Sequence, residues 1–515
     1  MLRHFISVSG FTLLSRVTGL VRDLATAALL GAGLIADAFF VALRLPNHFR
    51  AIFGEGAFNA AFVPVFTRLH QMTGADAARR FADNVWTAMV ILQTLMLALA
   101  LAFMPQVVGL LAPGFSADPE KFSLAVTLAR ITFPYLFFVT LVTLVSGMLN
   151  GVGRFAAAAG APILLNVAIV AALALAFLFP SSGHAAAWGV AVAGVLELAL
   201  VYSDARRAGI APRFARPRLD TDMRAFLKAL GPAIIGSAGV QIALFADTVI
   251  ASLLPTGAVS SIYYADRLYQ LPIGVIAIAA GTVLLPEMSR LVAADRADAA
   301  HGAQNRTLML SLALGLPCMA AFLVVPDLII GALFGRGAFT PADAQAAGAV
   351  LAAYAIGLPA IVAIPSLVAS FRARLDTATP AVVSLIGIAV NLALKIALTG
   401  GFLIEGFGAP GLALATAAGA WVNGGLLYIL AVRKGWSAPD GRLARTLAGV
   451  VLASGLLAVT AWGAERLATP WVAALPHFQT IALLGIVALT GAAAYGAALV
   501  IALKVLRVPL PLRRR

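Results

Sequence analysis

The residues best suited to chemistry in this sequence are charged side chains that interrupt long apolar stretches. Most of them lie within the first fifty-five residues. The charged residues inside these stretches are Arg16, Arg22, Asp23, Asp37, Arg44, Arg50 and Glu55, followed by Asp247, Asp266, Arg267 and Lys395. A charge at the centre of a bilayer costs about 2.5–3.5 kcal/mol on insertion scales. If these stretches span a membrane, the charged groups must therefore face water, a partner side chain or a ligand.

Four of the arginines are interpreted together as an anion site: Arg16, Arg22, Arg50 and Arg267. Arginine keeps its charge at any relevant pH, and its planar fork of donors suits phosphate oxygens. For any one of them alone, an ion pair or a snorkelling position near the membrane interface is an equally simple explanation. The surplus of arginine over carboxylate in the first two predicted helices favours the anion site.

Helix spacing offers two ion pairs within this group. Arg16 and Asp23 are seven residues apart and share a helix face, as do Asp37 and Arg44. Gly19 permits a bend in the first helix that turns neighbouring arginines to one side. Each carboxylate is thus predicted to pair within its own helix or to line a cavity.

Turn-forming residues predict where the second helix ends. Pro46 is predicted to break this helix before Arg50, and glycines on both sides of Glu55 indicate a turn that holds a carboxylate near the cavity. The stretch 54–70 is predicted to be a broken or re-entrant extension.

The composition of the chain indicates which secondary-structure elements position these charged residues. The 515 residues are 61% hydrophobic and 11% charged, with a mean hydropathy of +0.97. A soluble chain carries about 25% charged residues. Continuous apolar runs exclude a transmembrane barrel, whose strands alternate, and a single cysteine, Cys318, excludes a disulfide scaffold. The sequence predicts an all-α polytopic membrane protein. Its fourteen predicted spans lie near 4–31, 34–53, 79–105, 121–150, 157–180, 184–205, 222–253, 258–289, 303–326, 343–370, 377–400, 408–433, 443–467 and 475–505.

The net charge of +14 is explained by topology. If the N-terminus is cytoplasmic, the segments on that side carry 25 lysines and arginines and the opposite loops carry three, which are Lys121, Arg336 and Arg466. This bias predicts that both termini are cytoplasmic. It also argues against a nucleic-acid partner. A cleavable signal peptide is not expected, because Arg16 and Arg22 interrupt the first apolar stretch.

Sparse identities at a common offset indicate an internal repeat. Pro64 corresponds to Pro286 at an offset of 222 residues, and Asn166 corresponds to Asn391 at an offset of 225. Because six spans separate the copies, the two repeats must have the same orientation in the membrane.

The repeat predicts three regions, of which the two lobes face each other around a central cavity. They are an N-terminal six-helix lobe (1–213), a C-terminal six-helix lobe (214–435) and an added helix pair (436–515). Two like-oriented lobes suit a transporter that alternates access by rocking.

No arrangement of residues indicates catalysis or a metal. The six histidines are far apart, and neither clustered carboxylates nor a nucleophile with its base is visible. The histidines are His4, His48, His70, His184, His301 and His477. The chain is therefore not expected to be an enzyme, and no cofactor is predicted.

Three segments are long enough to be compared with known families. They are SRVTGLVRD (15–23), GAGLIADAFFVALRLPNHFRAIFGEGAFNAAFVPVF (31–66) and YYADRLYQLPIGV (263–275). These segments resemble the MurJ (MviN) family of lipid II flippases, within the multidrug/oligosaccharidyl-lipid/polysaccharide exporter superfamily. The similarity extends over essentially the whole chain.

The resemblance implies that the chain moves the undecaprenyl-pyrophosphate-linked disaccharide-pentapeptide precursor of peptidoglycan, lipid II, to the outer leaflet of the bacterial inner membrane. It implies cavity arginines at Arg16, Arg22, Arg50 and Arg267. The polar or acidic companions would be Ser15, Asp23, Asp37, Asn47, Glu55 and Asp266. It further implies that the helices around 443–505 form a groove for the polyprenyl tail, and that membrane lipids and other cell-wall synthesis proteins are partners.

The energy source stays open at this stage, and so do three other functions. Members of the superfamily use sodium or protons, and a sodium site in some of them corresponds here to Asp247, Asn391 and Lys395. A lysine at this position argues against sodium, because its ammonium can replace the cation; the membrane potential is a further source. The alternatives are an O-antigen-type flippase, a drug/cation antiporter and, from another class, a membrane enzyme acting on polyprenyl phosphates.

Overall fold

The structure is a computed structural model that describes residues 2–50, 56–398, 406–474 and 478–506, and all regular elements in these ranges are helical. The helices are α1 (Leu2–Leu30), α2 (Leu34–Arg50), α3 (Gly56–Met72), α4 (Ala75–Ala102), α5 (Met104–Leu111), α6 (Pro119–Thr132), α7 (Pro134–Gly151), α8 (Ala156–Ala174), α9 (Ser182–Arg207), α10 (Thr221–Ser252), α11 (Ala258–Ala293), α12 (Ala297–Val324), α13 (Pro326–Phe334), α14 (Pro341–Ala355), α15 (Leu358–Arg372), α16 (Ala378–Ile396), α17 (Gly408–Arg433), α18 (Gly441–Val472) and α19 (Gln479–Val505). Ten helical stretches within the described ranges are long and apolar enough to cross a membrane. The predicted all-α polytopic class is confirmed, whereas the count of fourteen spans stays a prediction.

Prolines divide two of the predicted spans. The span 121–150 consists of α6 and α7, which meet at Phe133 because Pro134 occupies the first turn of α7. Proline is accepted there, since the first helical N–H groups have no partner within the helix. The span 343–370 is likewise divided into α14 and α15, and a proline lies in the first turn of each.

One expectation about a helix break was wrong, because helix α2 continues through Pro46 to Arg50. Within the stretch predicted as a broken or re-entrant extension, residues from Gly56 onward form a helix, α3, which continues through Pro64. Residues 51–55 lie outside the described ranges, so the predicted break or re-entrant path stays a prediction. Apolar packing along these helices outweighs the single hydrogen bond that an internal proline removes.

The first compact unit contains the residues up to Val259 together with Gly337–Phe339. Its core includes a stack of phenylalanine rings. Phe58, Phe62 and Phe66 recur every four residues on α3, so they share one face, and neighbouring ring centroids are 5.3 and 5.6 Å apart. Phe81 of α4 and Phe226 of α10 pack on this face, with centroids 5.4 and 6.2 Å from that of Phe62. The stack fixes α3, α4 and α10 to one another.

The second compact unit contains Ser260–Arg336 and the residues from Thr340 onward. Helices α16 and α17 cross closely at Gly387 and Gly419, where a side chain on either glycine would meet the opposite helix. Helices α18 and α19 pack on each other and against α12 and α13, through a core that includes Leu457, Ala461 and Val487.

These packing units differ from the predicted repeats at two places. Helix α10, which begins the predicted second lobe, packs with the first unit through Phe226. Helices α18 and α19, predicted as a separate region, pack within the second unit. The region boundaries 1–213, 214–435 and 436–515 describe the sequence repeat and stay predictions.

Candidate functional site

Arg22 is the most firmly held of the predicted anion-binding arginines in the first unit. Its guanidinium donates to Asp23 Oδ1 through Nη2 at 2.7 Å and Nε at 3.1 Å, and its Nη1 donates to Asn166 Oδ1 at 3.0 Å. The Asn166 amide in turn donates to the carbonyl oxygen of Ser15 and to the hydroxyl of Thr18. The Arg22 side chain is 13% exposed, so this network sets its direction.

Gly19 lies where α1 packs against α8. Helix α1 is continuous through Gly19, and the Asn166 side chain of α8 lies against that glycine, 3.6 Å from the position a Cβ would occupy. The absence of a side chain there allows close packing with α8, whereas the bend expected at Gly19 stays a prediction.

Arg16 faces an open cavity of about 440 Å³. Ser15, Thr12 and Asn150 supply polar groups to its wall, and Pro162 of α8 lines it as well. Arg16 is exposed, and among the described residues it makes no hydrogen bond or ion pair. The predicted pair between Arg16 and Asp23 was wrong, because Asp23 lies against Arg22.

Arg50 ends α2 near a carboxylate that sequence reasoning missed. Its guanidinium interacts electrostatically with Glu197, which is 3% exposed on α9. The hydroxyl of Tyr135 on α7 donates to Glu197 Oε2 at 3.4 Å. Glu197 is an acid in the middle of an apolar stretch of α9, and this was the signal that could have found it.

Asp37 does not pair with Arg44, contrary to the second predicted ion pair. Asp37 Oδ2 accepts from Lys121 Nζ at 2.8 Å and from the backbone N–H of Gly257 at 2.8 Å. Asp37 is fully buried, and the side chain of Lys121 is 4% exposed beneath the ring of Phe115. Arg44 instead donates to the Thr248 hydroxyl at 3.3 Å. Lys121, predicted to lie in an outside loop, is thus a buried counter-ion at the start of α6.

The structure shows less about two of the predicted polar or acidic companions, Asn47 and Glu55. Asn47 is half-buried on α2, within one turn of Arg44 and Arg50. Glu55 lies outside the described residues, so its role as a cavity carboxylate stays a prediction.

In the second unit, Arg267 lies on α11 beside an aromatic ring. Its guanidinium carbon is 4.6 Å from the ring centroid of Tyr263, one turn earlier, and its Nη2 donates to the Tyr263 hydroxyl at 3.1 Å. The neighbouring Asp266 accepts a hydrogen bond from the amide of Gln270. Stacking on a ring leaves the edge of a guanidinium able to donate hydrogen bonds to acceptors.

The three residues of the predicted coupling site are distributed over both units. Asp247 lies on α10 in the first unit, and Asn391 and Lys395 lie one turn apart on α16 in the second. Lys395 is 2% exposed. Asn391 Oδ1 is buried and has no hydrogen-bond partner among the described residues.

Taken within the first unit, Arg16 and Arg22 both lie along the contact of α1 with α8. Two of their neighbours are uncharged amides: Asn166 accepts from Arg22, and Asn150 lines the cavity that Arg16 faces. A hydropathy profile singles out charged residues in apolar stretches, whereas a single amide in a long apolar helix changes the profile little. This chemistry of fixed guanidinium and amide donors suits a phosphate or another oxyanion.

Comparison with known proteins decides the family. A model of the family described as "Lipid II flippase MurJ" matches residues 26–481. The chain belongs to the MurJ family. A probable lipid II flippase MurJ of Rhizobium meliloti (strain 1021) is 42% identical over 498 residues, which cover 95% of this chain and 91% of that protein. The lipid II flippase MurJ of Burkholderia cenocepacia (strain J2315) is 34% identical over 441 residues, covering 84% of each.

Solved structures support the fold of this MurJ-family chain. A structure titled as lipid II flippase MurJ in an inward closed conformation aligns with a TM-score of 0.79 at 24% identity, covering 98% of this chain and 100% of that one. An inward-facing multidrug resistance transporter of the MATE family aligns with a TM-score of 0.65 at 13% identity, covering 84% and 98%. At such identities the likeness concerns the fold alone. The sequence-based resemblance to the MurJ family is confirmed.

Proposed function

We propose that the chain is a lipid II flippase that translocates this peptidoglycan precursor across the bacterial inner membrane. The observation that carries the proposal is the match to the lipid II flippase family over residues 26–481. The precursor has an anionic, hydrophilic headgroup that cannot cross hydrocarbon unaided, whereas its polyprenyl tail never needs to leave it. The task is transport and needs no covalent step.

The arginines are proposed to bind the pyrophosphate of the headgroup. Support comes from Arg22, whose direction is fixed by Asp23 and Asn166, and from Arg16, which is exposed in a polar-walled cavity. Arg50 and Arg267 complete the proposed set. The headgroup would change sides by alternating access, while the tail stays in lipid along a groove of α18 and α19.

Potential-driven resetting is proposed as the energy source. Moving one charge across the membrane is worth about 2.3 kcal/mol per 100 mV. Lys395 supplies a fixed positive charge near Asn391, at the position where the family resemblance would otherwise suggest a sodium ligand. Translocation by the purified protein in vesicles should therefore respond to an imposed potential and not to replacement of sodium by potassium. A sodium requirement would refute this assignment.

A matched pair of arginines on α11 tests the main proposal. In cells that depend on this copy, Arg267→Ala should reduce the lipid II accessible at the outer surface by roughly 10–100-fold, because a hydrogen bond to a charged group is worth about 1.5–3 kcal/mol. Arg290→Ala, at the exposed end of the same helix, should leave it unchanged. Wild-type translocation by Arg267→Ala at normal protein levels would contradict the proposal.

Three further measurements separate the alternatives. Purified protein should return radiolabelled precursor chemically unchanged, whereas a polyprenyl-phosphate enzyme would alter it. Uptake of a fluorescent cation should be unaffected by the chain, whereas a drug/cation antiporter would change it. Competition between lipid II and an O-antigen-type precursor distinguishes the two kinds of flippase. Both termini are proposed to be cytoplasmic, and a complex with other cell-wall synthesis proteins stays a prediction.

A further inference from the structure

A second cavity of the first unit lies away from the predicted arginine site. It has a volume of about 370 Å³ and is formed between α3, α4, the start of α10 and the segment 208–220 that precedes α10. We name it the linker cleft. Its wall is almost entirely apolar and includes Phe58, Val85, Met89, Phe226 and Leu230. Water finds few hydrogen-bond partners in such a space, so an apolar occupant is favoured.

The linker cleft has the length of a lipid chain segment. Its lining extends along α4 from Val85 to Gln93 and along α10 from Met223 to Leu230. Seven to eight residues of helix at ~1.5 Å each correspond to a slot about 10–12 Å long. Arg218 lines the cavity beside the Val85 end of this stretch, where Asn84 binds its backbone, and we call this end the mouth.

The linker segment is held in place by the polar side chains of α4. Asn84 makes two bonds to the backbone of Arg218: its Oδ1 accepts from the N–H at 2.8 Å, and its Nδ2 donates to the carbonyl. Asp83 and Thr87 accept from the backbone N–H groups of Arg213 and Ala215 at 2.6 and 2.9 Å. The position of Arg218 at the mouth is therefore built into the fold.

The mouth of the cleft carries surplus positive charge. Arg216, Arg218 and Arg224 are exposed and make no ion pair with any residue in the described ranges. The nearby acids are engaged elsewhere: Asp222 pairs with Arg68 at 3.5 Å, and Asp220 caps α10 by accepting from Met223 N–H. The positive-inside bias places this segment on the cytoplasmic side, where the membrane surface is anionic.

We propose that the linker cleft binds one anionic glycerophospholipid, with an acyl chain in the slot and the phosphate at Arg218. Basic pockets between membrane helices on the cytoplasmic side recognise such headgroups, and each arginine near the surface contributes about 1 kcal/mol. The apolar slot recognises the other part of the lipid, its acyl chain. The bound lipid would fasten α4 to α10 beside the phenylalanine stack.

Four variants test both halves of this site. Purified protein is mixed with phosphatidylglycerol or phosphatidylcholine of equal chain length, and bound lipid is counted by native mass spectrometry. Arg218→Gln should weaken phosphatidylglycerol binding about fivefold and leave phosphatidylcholine unchanged. Ala88→Phe fills the slot and should weaken both lipids. The matched controls, Arg290→Gln and Ala98→Phe, lie on exposed positions away from the cleft and should bind both lipids as the wild type does.

Several results would overturn the proposal. They are unchanged phosphatidylglycerol binding in Arg218→Gln, an equal loss in Arg290→Gln, or displacement of the lipid by a polyprenyl phosphate at equal concentration. Glycerophosphoglycerol has the headgroup and no acyl chains. If it competes for the site as effectively as the intact lipid, the acyl slot is refuted. If Ala88→Phe fails to fold, the exposed Arg218 variant still decides the question.

Discussion

The pair Lys121–Asp37 shows how the first unit holds charge away from water. Both side chains are almost completely buried, and their 2.8 Å contact is supported by the Gly257 N–H and the Phe115 ring. Desolvating two charges is costly, so such a pair persists only when the geometry is good and further hydrogen bonds satisfy it. Removing one member is expected to cost much more than the pair contributes.

Lys121→Met should therefore destabilise the protein by about 3–5 kcal/mol, since it leaves the buried Asp37 without the lysine charge. Thermal unfolding in detergent measures this. The control is Arg306→Met, which breaks the exposed pair with Glu287 and should cost about 0–1 kcal/mol. Equal effects of the two substitutions would show that burial does not govern the pair.

The loop between α15 and α16 contains a pH-dependent contact. The Lys434 ammonium, 2.9 Å away, together with the N–H and hydroxyl of Thr379, lowers the pKa of Asp376 to about 2. The unfolded value is about 3.9. The contact therefore contributes stability that is fully present above about pH 5 and is lost as the pH falls towards 2.

Asp376→Asn should remove this dependence. The difference in unfolding temperature between wild type and variant is expected to be constant from pH 7 to 5 and to shrink between pH 5 and pH 2. The effect should be small, because the two side chains are 18% and 40% exposed. A difference that grows as the pH falls would contradict the assigned direction.

The free-energy cost of placing a charge in the membrane identifies which charged residues need a partner. It does not identify the partner. Asp37 stood out in the sequence, and the predicted partner Arg44 was wrong because helix periodicity reports only neighbours on the same helix. The actual partner, Lys121, is 84 residues away. Asn166 and Glu197 were missed for the same reason: their importance arises from contacts between helices.

At the level of elements, the crossing of α16 and α17 depends on glycine. A Cβ on Gly419 would lie 2.7 Å from Asn391 Cβ and 2.9 Å from the Gly387 carbonyl oxygen, so the helices would have to separate. Small residues that allow a close backbone approach are the usual basis of helix packing in membranes.

Two glycines of α17 provide a matched test of this packing. Gly419→Ala should lower the unfolding temperature, because overpacking a close contact costs about 1–3 kcal/mol. Gly425→Ala should leave it unchanged or raise it slightly, since no atom beyond the neighbouring helical backbone lies within 4 Å of the added carbon. An equal loss in both variants would point to backbone flexibility rather than to the crossing.

Helix existence was easier to predict than helix ends. Apolar runs identified the helical stretches, and the prolines within them had different effects: Pro134 begins α7, whereas α2 passes through Pro46. At both sites the proline ring fixes φ and removes one backbone N–H. The outcome is decided by tertiary packing around it, which the local sequence does not specify.

At the scale of the whole molecule, a nearly constant offset of 222 to 225 residues between similar positions predicted a repeat, and composition predicted the membrane class. Neither feature could predict that α10 packs with the first unit. This packing depends on Phe226, which joins the stack of Phe58 and Phe62, and one aromatic residue in an apolar helix has no distinguishing pattern. The orientation of the chain in the membrane is a separate prediction, made from charge alone.

The single cysteine makes this orientation directly measurable. In a Cys318→Ser background, Pro180→Cys and Arg216→Cys place thiols in exposed segments on opposite predicted sides of the membrane. An impermeant maleimide added to intact spheroplasts should label Pro180→Cys, and should label Arg216→Cys only after the membrane is opened, because the cytoplasmic segments carry the excess of lysine and arginine. The unsubstituted background protein is the control for labelling without an accessible thiol. Labelling of Arg216→Cys from outside, with Pro180→Cys protected until lysis, would reverse the topology and place the basic linker segment on the wrong side for the proposed lipid site.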